Sequence, residues 1–124
     1  MVKKLMVVDD NELIRVMAAL ILKKAGYAVV EAVNGLDALN KLDGSEVDMV
    51  ITDLRMPLMD GLEFIKQLRT VPAYRYLPIA VMSADFQECK RGEVEKAGVS
   101  DWISKPFLRH QLIDAVDRSV MRAM

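Results

Sequence analysis

The 124-residue chain is poor in cysteine and histidine and has no surplus of either charge. Each shortage removes a class of protein. One cysteine, Cys89, permits neither an internal disulfide nor a zinc site built on thiolates, and a lone free thiol in a helical stretch reads as inert packing. One histidine, His110, stands far in sequence from any metal-like partner, so it reads as a solvated or packing residue. The 17 basic and 18 acidic side chains leave a net charge of -1, which steers the chain toward neither nucleic acid nor an anionic membrane. No apolar run approaches the roughly 18 to 20 residues of a membrane span. The opening "MVKKLMVV" holds too short an apolar stretch for a secretory signal. These absences predict a cytoplasmic location and no direct membrane or nucleic-acid partner.

What is present is a large supply of core. With 52% hydrophobic residues the chain can bury an ordinary interior, and its length predicts one domain over 1–124. Short apolar runs alternate regularly with helical patterns. Strands are expected at 4–8, 27–33, 47–52, 78–82 and 101–103, with Glu31 marking the second as an edge strand. Helices are expected over 12–25, from Gly35 to about Asp43, and over 61–69, 85–97 and 107–122, with Asn11 or Asp10 capping the first. In the first helix Leu13, Val16, Met17, Leu20 and Ile21 recur at helical spacing. Pro72 and Pro78 bracket a linker. Five βα units with connections this short predict an α/β fold in which a parallel sheet carries helices on both faces. In such sheets the working crevice lies beyond the carboxyl ends of the strands.

The residues at those ends form a constellation. Asp9 and Asp10 follow strand one, Asp53 strand three, Ser83 strand four, and Lys105 with Pro106 strand five. Three converging carboxylates repel one another unless a cation lies between them, and Mg²⁺ suits an all-oxygen donor set. Asp53 then has two roles, as metal ligand and as a nucleophile that forms an acyl phosphate. Lys105 and Ser83 supply the ammonium and hydroxyl that orient the oxygens of the transferred group.

Four motifs stand in order, each at the end of a strand: "VVDDN" at 7–11, "DLRMPLMDG" at 53–61, "MSA" at 82–84 and "AGVSDWISKPF" at 97–107. In them the chain resembles a response-regulator receiver domain of two-component signalling, in the stand-alone style of the chemotaxis regulator. The resemblance covers essentially the whole chain. It implies a doubly wound, flavodoxin-like (βα)5 domain with strand order 2-1-3-4-5. It implies that Asp53 is phosphorylated, that Asp9, Asp10 and the backbone carbonyl of Arg55 join Asp53 in holding Mg²⁺, and that Ser83 and Lys105 contact the phosphoryl oxygens. The Lys105–Pro106 peptide is expected to be cis.

The resemblance further implies a switch, in which Ser83 moves toward the phosphoryl group and an aromatic on strand five turns inward. That position is Trp102, where the family more often has tyrosine or phenylalanine. A buried indole needs a partner for its N–H, so Trp102 reads either as the switch or as a partner-surface residue. Arg55 and Asp85, each two residues past a site residue, are read as a pair over the site that shields the acyl phosphate, or else as a solvated pair of little weight. The implied partners are a histidine kinase or histidine phosphotransfer domain, docking on the first helix, and a downstream protein. The latter would read helix four, strand five and helix five, where Trp102 and Ser104 lie. Such a chain is a signal carrier that assists its own phosphorylation and dephosphorylation, not a metabolic enzyme. The alternative is a receiver-like interaction module that works without phosphorylation. Met56 and Met59, flanking Pro57, are expected to close the loop after Asp53.

Overall fold

In the computed structural model, which describes residues 2–84 and 91–122, five strands form one parallel sheet in the order β2-β1-β3-β4-β5. The strands are β1 (Lys4–Val8), β2 (Ala28–Ala32), β3 (Met49–Asp53), β4 (Ile79–Ser83) and β5 (Asp101–Ser104). The helices are α1 (Glu12–Lys24), α2 (Gly35–Leu42), α3 (Gly61–Thr70), α4 (Arg91–Lys96) and α5 (Arg109–Arg122). Cys89 and Asp85 lie outside the described residues, as does the first part of the helix expected from position 85.

Side chains alternate across each strand, so successive residues enter opposite cores. Leu5, Val7, Met49, Ile51, Ala80 and Met82 face α1 and α5, where Ala18, Leu22, Leu112, Ala115 and Val116 close the layer. Met6, Val8, Val50, Ile79 and Val81 face the other way, onto Ala38 and Leu42 of α2, Phe64, Ile65 and Leu68 of α3, and Val94 of α4. Both faces are covered, which is why the central strands read as unbroken apolar runs.

Polar side chains start the helices. Asn11 accepts the N–H of Ile14, Asn34 that of Asp37, and Asp60 that of Glu63, each satisfying a donor that the first turn leaves open. At α5 the side chain of Gln111 reaches back to accept the N–H of Leu108 at 2.8 Å. The helix therefore begins at Arg109, later than the expected Phe107, and Phe107 packs on the α1/α5 core instead.

Two features go beyond those expectations. The linker between the prolines carries a 3₁₀ turn, Pro72–Tyr74, whose Tyr74 is buried and donates its hydroxyl to the Ser45 carbonyl at 2.9 Å. More consequentially, α1 turns much of its apolar repeat away from the sheet. Leu13 is 74% exposed and Leu20 53%, with Val16 and Met17 also exposed, while Ala18, Ala19 and Leu22 are buried. Small alanines let the helix lie close to β1 and β2, so it is their stripe that meets the sheet.

Candidate functional site: an acidic cluster at the carboxyl edge

The strand register sets the site. Asp53 is the last residue of β3 and pairs with Met82, so Ser83 lies one step beyond it on the neighbouring strand. Both belong to their strands and do not follow them, as the sequence reading had it. The Lys105 N–H donates to the Ser83 carbonyl at 2.9 Å, which carries the β4–β5 pairing one residue past Ser104 and brings the lysine stem over the sheet edge. The Lys105–Pro106 peptide is cis. On the other side of β3, β1 delivers Asp9 and Asp10.

One carboxylate oxygen from each of Asp9, Asp10 and Asp53 lies within 4.8 Å of the other two. Lys105 Nζ bridges two of them, 2.6 Å from Asp9 Oδ2 and 3.0 Å from Asp53 Oδ2. Asp9 is fully buried and Asp10 is exposed, while the Lys105 and Asp53 side chains are 9% and 14% accessible. The second oxygens are also engaged: Asp9 Oδ1 accepts the Asn11 N–H and Asp53 Oδ1 the Leu54 N–H.

Burial pushes the Asp53 carboxyl above its ordinary range and Asp9 adds to the rise, despite the opposing bond and charge of Lys105. For Lys105, burial alone would favour the neutral amine. The hydrogen bonds and charges of Asp9 and Asp53 outweigh it, and its pKa is raised. One ammonium against three carboxylates leaves two negative charges uncompensated at the edge. An all-oxygen donor set with that charge fits a hard divalent cation such as Mg²⁺.

A cavity of about 440 Å³ opens beside the cluster, lined by Asp10, Leu54, Arg55, Met56, Pro57 and Asp60. Arg55 is exposed at its rim. Met56 is buried in the core under the loop and Met59 packs against it, in keeping with a loop-closing role. Trp102 is half-buried on β5 with the Arg91 guanidinium 4.6 Å from its ring centroid. It opens a second cavity, about 290 Å³, with Ser104, the exposed His110 and Arg118.

Two contributors escaped the sequence reading. Gly61 packs so tightly under β3 that a Cβ there would sit 2.2 Å from the Asp53 carbonyl oxygen. Its N–H donates to the Leu54 carbonyl at 2.8 Å, so the absence of a side chain is what lets α3 begin directly beneath the acid. The "DG" pair after the loop was its only signal. Arg15, which the sequence did not single out, donates to the Asp9 carbonyl at 3.0 Å and to Glu31 at 3.1 Å. No local motif announced it, because Glu31 sits on another strand.

With fold and site in place, the family is clear: the chain belongs to the response regulator receiver domains, whose family model matches residues 5–117. Over 116 residues it is 38% identical to the sensory/regulatory protein RpfC of Xanthomonas campestris, a match covering 91% of this chain and 16% of that protein. The chain thus spans about a sixth of the length of the curated relatives it first matches. Among solved structures it is similar to the chemotaxis protein CheY4 of Vibrio cholerae, with a TM-score of 0.91 and 34% identity over 96% of this chain and 99% of that one. It is also similar to the receiver domain of the sensor histidine kinase PA1611 of Pseudomonas aeruginosa, with a TM-score of 0.90 and 25% identity over 98% and 99% of the two chains. That structure has a magnesium ion coordinated in its active site cleft.

Proposed function

We propose that this domain accepts a phosphoryl group on Asp53 from a phosphohistidine donor, in a Mg²⁺-dependent step, and later loses it to water. The observation that carries this reading is the Asp9, Asp10 and Asp53 cluster with Lys105 Nζ 3.0 Å from Asp53. An Asp53 oxygen attacks phosphorus, the phosphorus–nitrogen bond breaks, and the electron pair leaves with the imidazole. Lys105 already touches the attacking carboxylate, so it orients that group and takes up charge on the phosphoryl oxygens. Ser83, buried one step past the Asp53 partner, offers a hydroxyl to the same group. Asp9, Asp10 and Asp53, with the Arg55 carbonyl, would hold the metal, which supplies neutralising charge to the carboxylates and the incoming oxygens.

The partners belong to the same reading. In this reading, which the family resemblance suggests and the exposed apolar residues of α1 support, α1 is the docking face for a histidine kinase or phosphotransfer domain, and the α4-β5-α5 surface with the half-buried Trp102 and Ser104 is the output face for a downstream protein. The domain acts as a signal carrier in the cytoplasm.

Incubation with a small phosphoramidate and Mg²⁺, followed by intact mass, tests the chemistry. One phosphoryl-sized gain is expected, lost when EDTA replaces the metal. No gain in either condition would leave an interaction module that works without phosphorylation.

A further inference from the structure

The two acids that follow β1 are held in different ways. The Asp9 carboxylate is fixed by the Asn11 N–H at 2.9 Å and by Lys105 at 2.6 Å. The Asp10 carboxylate is exposed, and among the described residues no donor reaches it. No neighbouring donor selects its rotamer, so the backbone, including the plane of the Asp9–Asp10 peptide, sets the position from which it reaches the cluster.

Among the described residues that plane has one side-chain anchor. Arg15, in the first turn of α1, donates Nη1–H to the Asp9 carbonyl at 3.0 Å. Its Nε–H is spent on Glu31 at 3.1 Å, and its side chain is only 12% accessible. Glu31 is fixed in turn, since Lys41 donates to its carbonyl at 2.7 Å. The Asp9 N–H is tied to the Ala32 carbonyl at 3.1 Å, so β2 holds the Asp9 N–H directly while Arg15, itself bonded to Glu31 of β2, holds the Asp9 carbonyl. With the Glu31 carboxylate beside it, the guanidinium adds little net charge. What it provides is a fixed, two-pronged hydrogen-bonding frame.

We propose that Arg15 is a positioning residue for the metal site: by holding the Asp9 carbonyl it aims the Asp10 carboxylate into the acidic cluster. This rests on the Mg²⁺-binding reading above. It also predicts an effect opposite in sign to simple electrostatics. Removing a cation near three carboxylates makes the site more negative, which by charge alone tightens a divalent cation. Removing a positioning contact loosens it, and partners one shell outside a metal's ligands typically govern about 10- to 100-fold in affinity.

Calorimetric Mg²⁺ titration of the wild type, Arg15→Met, Asp10→Ala and the double variant separates the two. Methionine keeps a buried stem and removes the donors. Arg15→Met is expected to weaken Mg²⁺ binding by about tenfold or more, and Arg15→Lys, which restores one donor, to recover part of the loss. If Arg15 acts through Asp10, the double variant binds no more weakly than Asp10→Ala alone. Unchanged or tighter binding in Arg15→Met, or a full extra loss in the double variant, overturns the proposal. A wild type that binds no Mg²⁺ overturns the metal reading itself, and this one with it.

Discussion

The carboxyl edge of the sheet and the outer face of α1 break the usual partition of side chains in opposite senses. At the edge, Asp9, Asp53 and Lys105 are withdrawn from water. On α1, Leu13, Val16, Met17 and Leu20 are left in it. Neither arrangement serves the core, which is complete on both faces of the sheet without them. Buried charge is tolerated because each group is hydrogen-bonded, and exposed apolar surface because the small-residue stripe of the same helix already seals the sheet. Both departures fall where the proposed function uses them: phosphoryl chemistry at the edge, a docking partner on the helix.

The contrast is sharpest against a residue that does serve the core. Phe64 is fully buried between α3 and the sheet. Phe64→Ala is expected to cost about 3–5 kcal/mol in chemical denaturation, the range for truncating a buried aromatic. A loss below about 1 kcal/mol would mean that the α3 layer is looser than its packing indicates.

The outer face of α1 should behave in the reverse way. Leu13→Ala with Met17→Ala is expected to shift stability by no more than about 0.5 kcal/mol, as for surface positions. The same change should slow phosphoryl transfer from a phosphohistidine domain about tenfold, equivalent to about 1.4 kcal/mol of docking energy. Phosphorylation by a small donor should be untouched. Equal slowing with both donors would show that α1 acts on the site and not on the partner.

The smallest effect concerns a polar tie on the far side of α1. Tyr27 donates its hydroxyl to Asp117, and burial first, then the carboxylate, pushes its pKa up to about 12 from 10.0. The folded state thus holds this proton after an unfolded chain has released it. The resulting stability is complete below pH 10, declines as pH rises toward 12, and is lost above it. Tyr27→Phe should flatten that part of the stability curve. An identical alkaline decline in both proteins would assign it to other groups.

The strands and the candidate site were legible in the sequence for the same reason, while the strand order came from the family resemblance. Apolar runs that end abruptly at Asp9 and Asp53 mark both the buried strands and the edge where they stop. The facing of α1 was not legible, because the helix carries two apolar stripes and periodicity gives no preference between Leu13 with Met17 and Ala18 with Leu22. Close approach to the sheet decides it, and that is a tertiary property. Arg15 and Gly61 were missed for a related reason: one contact crosses from α1 to β1 and β2, and the other is the space a missing Cβ leaves beneath Asp53.

The central claim is that Asp53 is the group that takes the phosphoryl. Intact mass after treatment with a phosphoramidate and Mg²⁺, comparing the wild type with Asp53→Asn, tests it directly. A single phosphoryl gain in the wild type and none in the variant is the predicted result. An equal gain in both would contradict it.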